Sequence, residues 1–171
     1  MGKGMTESSH RERTLHEGLI TALAFGGFFI IVGVVFGLTP GITSALSDFF
    51  SDFTGVTYPA INGAIVLPGP AHPAAHAQVY QAVFNFMLAI GVLQIVILAA
   101  RLYFHSTIRK IAETVGNAVF WLGGAVVANV YLLAGTLTGW FTFWPALIIL
   151  AGASLIAQFF VYLATRNKRY V

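Results

Sequence analysis

Cysteine is absent from the 171 residues, which excludes disulfide staples, thiol nucleophiles and cysteine-ligated metal or iron–sulfur centres. Charge is almost as scarce. Charged residues make up 9% of the chain against 57% hydrophobic, and the mean hydropathy is +0.81. A soluble domain of this size could not clothe its surface with so few polar groups. The sequence therefore reads as an all-α integral membrane protein, and its apolar runs leave room for one bundle and no separate soluble catalytic domain. The net charge of +3 is modest, and the basic residues fall in three short patches at helix ends. That pattern belongs to membrane topology, so no nucleic-acid partner is expected.

A second absence concerns the interior. From Leu19 onward no Asp, Glu, Lys, Arg or His lies well inside an apolar run. Catalysis by paired acids, or by a nucleophile with its base, lacks its residues there, and so does proton-coupled transport, which leans on a buried ionisable group. Bis-histidine haem ligation needs two histidines on different helices at one depth, whereas His16, His76 and His105 all sit at the ends of runs. No cofactor is expected. The third absence is of basic residues between Thr39 and His76, a stretch that also holds every proline but Pro145. It belongs outside the cell membrane.

What is present follows from these gaps. A polar tail, residues 1–16, precedes a single membrane domain, residues 17–165, and a basic tail, 166–171, closes the chain. Four spans are predicted at about 19–38, 77–100, 112–137 and 141–164, joined by an outer loop over 39–76. Each is long enough to cross the hydrocarbon layer at 1.5 Å per residue. The first run is longer than the apolar part of a cleaved leader, and Glu7, Glu12 and Glu17 precede it, so a span is expected there instead. Arg101, Arg109 and Lys110 mark the central turn, and Arg166, Lys168 and Arg169 follow the last run. These anchors put both termini and the central turn on the cytoplasmic side. Thr138-Gly139 reads as an outer turn, followed by Trp140, Phe141, Phe143 and Trp144 as an interfacial aromatic belt. Ser106 or Thr107 suits the N-cap of the third helix, and Pro73 suits the first turn of the second.

The outer loop carries its own amphipathic signal. Leu46, Phe49, Phe50 and Phe53 recur at helical spacing, with serines and aspartates between them, which predicts a short interfacial helix. After it, Tyr58-Pro59, Asn62-Gly63 and Pro68-Gly69-Pro70 are turn chemistry, and an irregular return to the membrane is expected. Two pairs at four-residue spacing, Asp48 with Asp52 and His72 with His76, could together offer two carboxylates and two imidazoles to a divalent metal. The plainer alternative makes the aspartates the wet face of a surface helix and His72 a helix cap.

Inside the spans the polar groups are amides: Gln78, Gln81, Asn85 and Gln94 on the second, Asn117 and Asn129 on the third, Gln158 on the fourth. They cannot face lipid cheaply, so a polar interior or a pore lining is predicted for them. Small residues recur as well, among them Gly26, Gly27, Gly33 and Gly37 on the first span and Gly123, Gly124 and Ala128 on the third. Close helix contact is implied. The functional expectation is a non-enzymatic tetraspan protein, an accessory or assembly component whose partners are lipid, other membrane proteins or its own copies. The alternative is an oligomeric channel or transporter for an ion or small neutral solute, lined by the amides.

Overall fold

The computed structural model describes residues 3–58 and 65–167. The predicted anchors Lys168 and Arg169, and the Asn62-Gly63 turn, lie outside the described residues, as does the side chain of Arg166. The chain is mostly helical. α1 (Lys3–Val32) ends in a π-helical turn, Gly33–Gly37; α2 (Ile42–Ser51) follows, then strands β1 (Phe53–Thr57) and β2 (Val66–Pro70). A 3₁₀ turn, Pro73–His76, leads into α3 (Ala77–Tyr103). α4 (Ile108–Val127) also ends in a π-helical turn, Ala128–Leu132, and α5 (Leu137–Asn167) completes the chain.

Four helices are long and apolar enough to cross a membrane: Leu15–Gly37, Pro73–Tyr103, Ile108–Leu132 and Leu137–Thr165. Residues close to both expected turns explain the shifted limits. The outer turn lies at Leu133–Thr136, not at Thr138-Gly139, because Gly135 takes the left-handed φ of 61° that glycine tolerates best. Thr136 then caps α5 by accepting a hydrogen bond from the Gly139 N–H at 3.0 Å. At the inner turn Thr107 occupies the N-cap position of α4 with no side-chain cap bond, and the Ser106 hydroxyl is committed elsewhere.

Helices adjacent in the chain are adjacent in space. α3 packs against α1 and against α4, and α4 packs against α5. The most apolar windows of α1 and α5 are 11% and 6% buried, against 28% and 33% for α3 and α4, so the outer two are flanks and the inner two form the centre. α3, α4 and α5 share one apolar core where Tyr80, Met87, Leu132, Trp140 and Phe143 meet, and α1 lies against α3. Short turns enforce antiparallel neighbours, but nothing draws the two flanks together, because lipid tails solvate an apolar helix face as well as leucine does.

Close packing falls where glycine permits it. A Cβ on Gly91 of α3 would lie 2.7 Å from Leu122 Cγ and 3.1 Å from the Leu122 backbone nitrogen, and one on Gly116 of α4 would lie 3.1 Å from the Ser154 carbonyl of α5. Gly123 and Gly124 also meet neighbouring side chains. On α1 only Gly27 does, against Leu93; Gly26, Gly33 and Gly37 face open space. The expected close contact along the first span is therefore confined to one point in this chain.

The outer loop differs most from expectation. It is not irregular after α2, since β1 and β2 form an antiparallel hairpin with Phe53 opposite Pro70 and Thr57 opposite Val66. The fold is therefore not purely helical. A two-stranded ribbon leaves each strand one free edge, and that is where Pro68 and Pro70 are tolerated without a lost ladder bond. Phe53 begins β1 and does not share a helical face with Leu46, Phe49 and Phe50. Of those, Phe49 is buried at 8% exposure while Phe50 is 70% exposed.

Candidate functional site

The hairpin and α2 cap the outer ends of α3, α4 and α5 through a cluster of rings. Phe49 makes edge contacts with His76, Tyr80 and Trp140 at centroid distances of 5.2, 6.1 and 5.8 Å, and Phe53 meets Trp140 at 5.6 Å. Trp140, Phe141 and Phe143 are buried beneath this cap, and only Trp144 stays half exposed. The four aromatics read as an interfacial belt are thus mostly core, because the hairpin covers the positions that headgroups would otherwise meet. Aromatic pairs of this geometry contribute about 0.5–1.5 kcal/mol each beyond their buried area.

One carboxylate fastens the cap. Asp52, the C-cap residue of α2, accepts hydrogen bonds from the His72 backbone N–H and from His76 Nε2 at its Oδ2, and from His72 Nδ1 at its Oδ1, each at 2.8 Å. Its carbonyl accepts from the Ala71 N–H at 3.0 Å. The segment from β2 to α3 is thereby tied to the end of α2. The two imidazoles and the His72 amide hold the Asp52 carboxyl well below the usual carboxylate range, since each favours the ionised form. With the carboxylate accepting, both ring nitrogens that face it carry hydrogen. His76 is buried and His72 exposed.

Three of the four residues read as metal ligands therefore converge, while Asp48 stands one turn back along α2 with no part in the clamp. The convergence is hydrogen bonding. Among the described residues no group of three or more His, Cys, Asp or Glu is arranged to hold a metal ion. Asp52 accepts three N–H donors on its two oxygens, two of them from the imidazoles that were its expected co-ligands.

A matching polar cluster closes the opposite end of the helices, where no periodic sequence pattern points to it. Glu17 of α1 accepts from Ser106 Oγ at 2.8 Å and from Lys110 Nζ at 2.7 Å, and His16 stacks on Phe104 at 4.4 Å. Three basic residues read as topology anchors, Arg101, Arg109 and Lys110, also make structural contacts. Arg101 donates to the Lys110 carbonyl, and Arg109 pairs with Glu113 at 2.9 Å. The Arg109–Glu113 pair is exposed and one turn apart, a contribution of about 0.3–0.5 kcal/mol. The available signal for Glu17 was a lone carboxylate at the mouth of an apolar run, placed at the depth of the basic turn.

The amides sit differently from expectation. Gln78 donates to the Pro40 carbonyl at 2.7 Å and ties the start of α3 to the loop before α2. Gln158 lies partly buried against Gly116 between α4 and α5, and Gln94 is partly buried beside a groove with Phe28, Leu93 and Trp121. Gln81, Asn85, Asn117 and Asn129 are exposed on the surface of the chain and do not form an interior. Gln81 Nε2 donates to Asn85 Oδ1 at 2.9 Å. The helical wheel shows which residues share a face, but not whether that face meets a neighbour. Comparison of the chain with protein-family models, with curated proteins and with solved structures finds no match.

Proposed function

We propose that this chain is a multi-pass membrane protein of four spans that acts without catalysis, as an accessory or assembly component, by binding membrane protein surfaces. The supporting observation is the exposed amide pair Gln81–Asn85 on a helix otherwise built for lipid. Amides within a span are costly against hydrocarbon and are satisfied best by another polypeptide. Their outward position favours contact with a partner over a passage inside one chain. The two polar clamps support a scaffold role, since each ties separate elements together through several hydrogen bonds.

In this reading both termini and the turn containing Ser106 and Thr107 are cytoplasmic and the hairpin is outside, as the basic residues demand. Cysteine labelling tests the orientation without background, because the native chain has none. Val66→Cys, exposed on the hairpin, reacts with an impermeant thiol reagent in intact cells, and Thr107→Cys reacts only after lysis. The reverse pattern refutes the orientation. Purification from membranes in mild detergent, with the particle mass measured, tests the binding role. A particle larger than one 18.4 kDa chain supports it, and a lone chain with no associated protein refutes it.

A further inference from the structure

We infer that the exposed face of α3 is a self-docking seam, through which two copies pair side by side in the same orientation with Asn85 of one against Asn85 of the other. This rests on the binding role proposed above and names its partner. Gln81, Asn85, Leu88, Val92, Ile95 and Ala99 follow one another at alternating steps of four and three, and every one of them is exposed. That alternation is the heptad spacing of a helix seam, in which apolar knobs fill a partner's holes and a polar residue at one position sets register and partner number. From Gln81 to Ala99 the seam covers eighteen residue steps, about 27 Å at helical rise, close to the full hydrocarbon thickness.

Exposed positions also alternate in steps of three and four on α1, from Leu19 to Gly33, and on α5, from Pro145 to Tyr162, so the amide pair and not the spacing sets α3 apart. On α4 and its closing turn the exposed Asn117 and Asn129 stand twelve residues apart with no such exposed run between them. On α5 the exposed positions Ile148, Ile149, Leu155, Ile156, Phe159 and Phe160 are all apolar, which suits lipid. α1 likewise exposes Leu19, Leu23, Phe25, Phe29 and Ile30, and its span contains no amide. A second copy is the occupant that the amides specify. The Gln81–Asn85 bond uses one N–H and one carbonyl, so the pair retains three N–H hydrogens and a second carbonyl. Donor and acceptor on the same two residues are self-complementary under a twofold axis. In a membrane two copies inserted the same way hold those residues at identical depth, so an axis along the bilayer normal brings like to like.

The test uses the full-length chain in its own membrane. Leu88→Cys, Val92→Cys and Ile95→Cys are made singly, with Ile149→Cys on α5 as the control, and the membranes are treated with a mild oxidant. The seam variants are expected to give a band at twice the chain mass, since a disulfide requires Cβ atoms about 4 Å apart, and the control to stay monomeric. Adding Asn85→Leu to Val92→Cys is expected to weaken association about tenfold, with Asn85→Gln restoring part of it. Cross-links from α5 alone, or none at the seam, overturn the proposal. So does an unchanged dimer with Asn85→Leu. A seam cysteine that cross-links to a different protein overturns self-docking and leaves the accessory role standing, whereas a monomeric particle with no partner removes both.

Discussion

The sharpest energetic consequence of helix packing lies at Gly91, where α3 crosses α4. A Cβ there would lie 2.7 Å from Leu122 Cγ and 3.1 Å from the Leu122 backbone nitrogen. The leucine end could rotate away, but the backbone nitrogen moves only if α4 moves. Helix association in a bilayer has little hydrophobic drive to absorb such a shift and depends on close contact. Gly91→Ala is therefore expected to destabilise by about 1–3 kcal/mol, the usual cost of overpacking. Gly152 of α5 supplies the matched control, since a Cβ there meets nothing within 4 Å. Gly152→Ala should be neutral or stabilising by up to about 1 kcal/mol through helix propensity alone. Denaturation from lipid–detergent micelles by a strong ionic detergent, followed by circular dichroism, reads both variants on one scale. Leu122→Ala added to Gly91→Ala should recover part of the loss, leaving the backbone contact unrelieved, with a coupling of about 0.5–3 kcal/mol. Equal stability of the two glycine variants would refute the tight crossing.

Two further outcomes concern the outer cap. Phe49→Ala should cost about 3–5 kcal/mol as a buried aromatic truncation, and Phe50→Ala under about 0.5 kcal/mol, as measured by the same denaturation; similar losses at both positions would mean the two rings share one environment. Because the folded-state pKa of Asp52 is depressed, its contribution to stability is complete above the unfolded carboxyl value of about 3.9 and is lost as pH falls through the folded value. Tryptophan fluorescence, dominated at the cap by Trp140, should thus report loosening of the hairpin only in strong acid. Asp52→Asn should lower the thermal midpoint at neutral pH and flatten that acid response; an identical acid profile in the variant would rule out the clamp.

How much of this was legible in the sequence depends on the range of the interaction that decides it. The four long helices follow from runs of apolar residues, which are local, and four helices of that kind stand among the described residues. Their limits were less legible, because Gly135 and Thr136 compete with Thr138-Gly139 as the outer turn and only the φ of Gly135 decides between them. The hairpin was hidden by Pro68 and Pro70, which look like breakers until one strand edge is known to be free. The four-residue pairs Asp48 with Asp52 and His72 with His76 are visible in the sequence, yet the contacts that matter join Asp52 to residues 20 and 24 away. Glu17 with Ser106 and Lys110 lies further still, at separations of 89 and 93, beyond any periodic signal.

The two carboxylate clusters divide the structural work in a way that bears on the open amide face. Asp52 fastens α2 and the hairpin to the outer start of α3, and Glu17 fastens α1 to the inner turn between α3 and α4. Both attachments thus converge on α3, the helix that also touches α1 and α4 along its length. Side-chain bonds near its two ends hold this helix against its neighbours in addition to the packing of apolar faces. A helix held in that manner presents its remaining face at a constant angle. Holding Gln81 and Asn85 at one angle and depth removes part of the ordering cost that any association must meet. The polar residues at the two ends of α3 thus set the frame on which the proposed binding role of Gln81 and Asn85 depends.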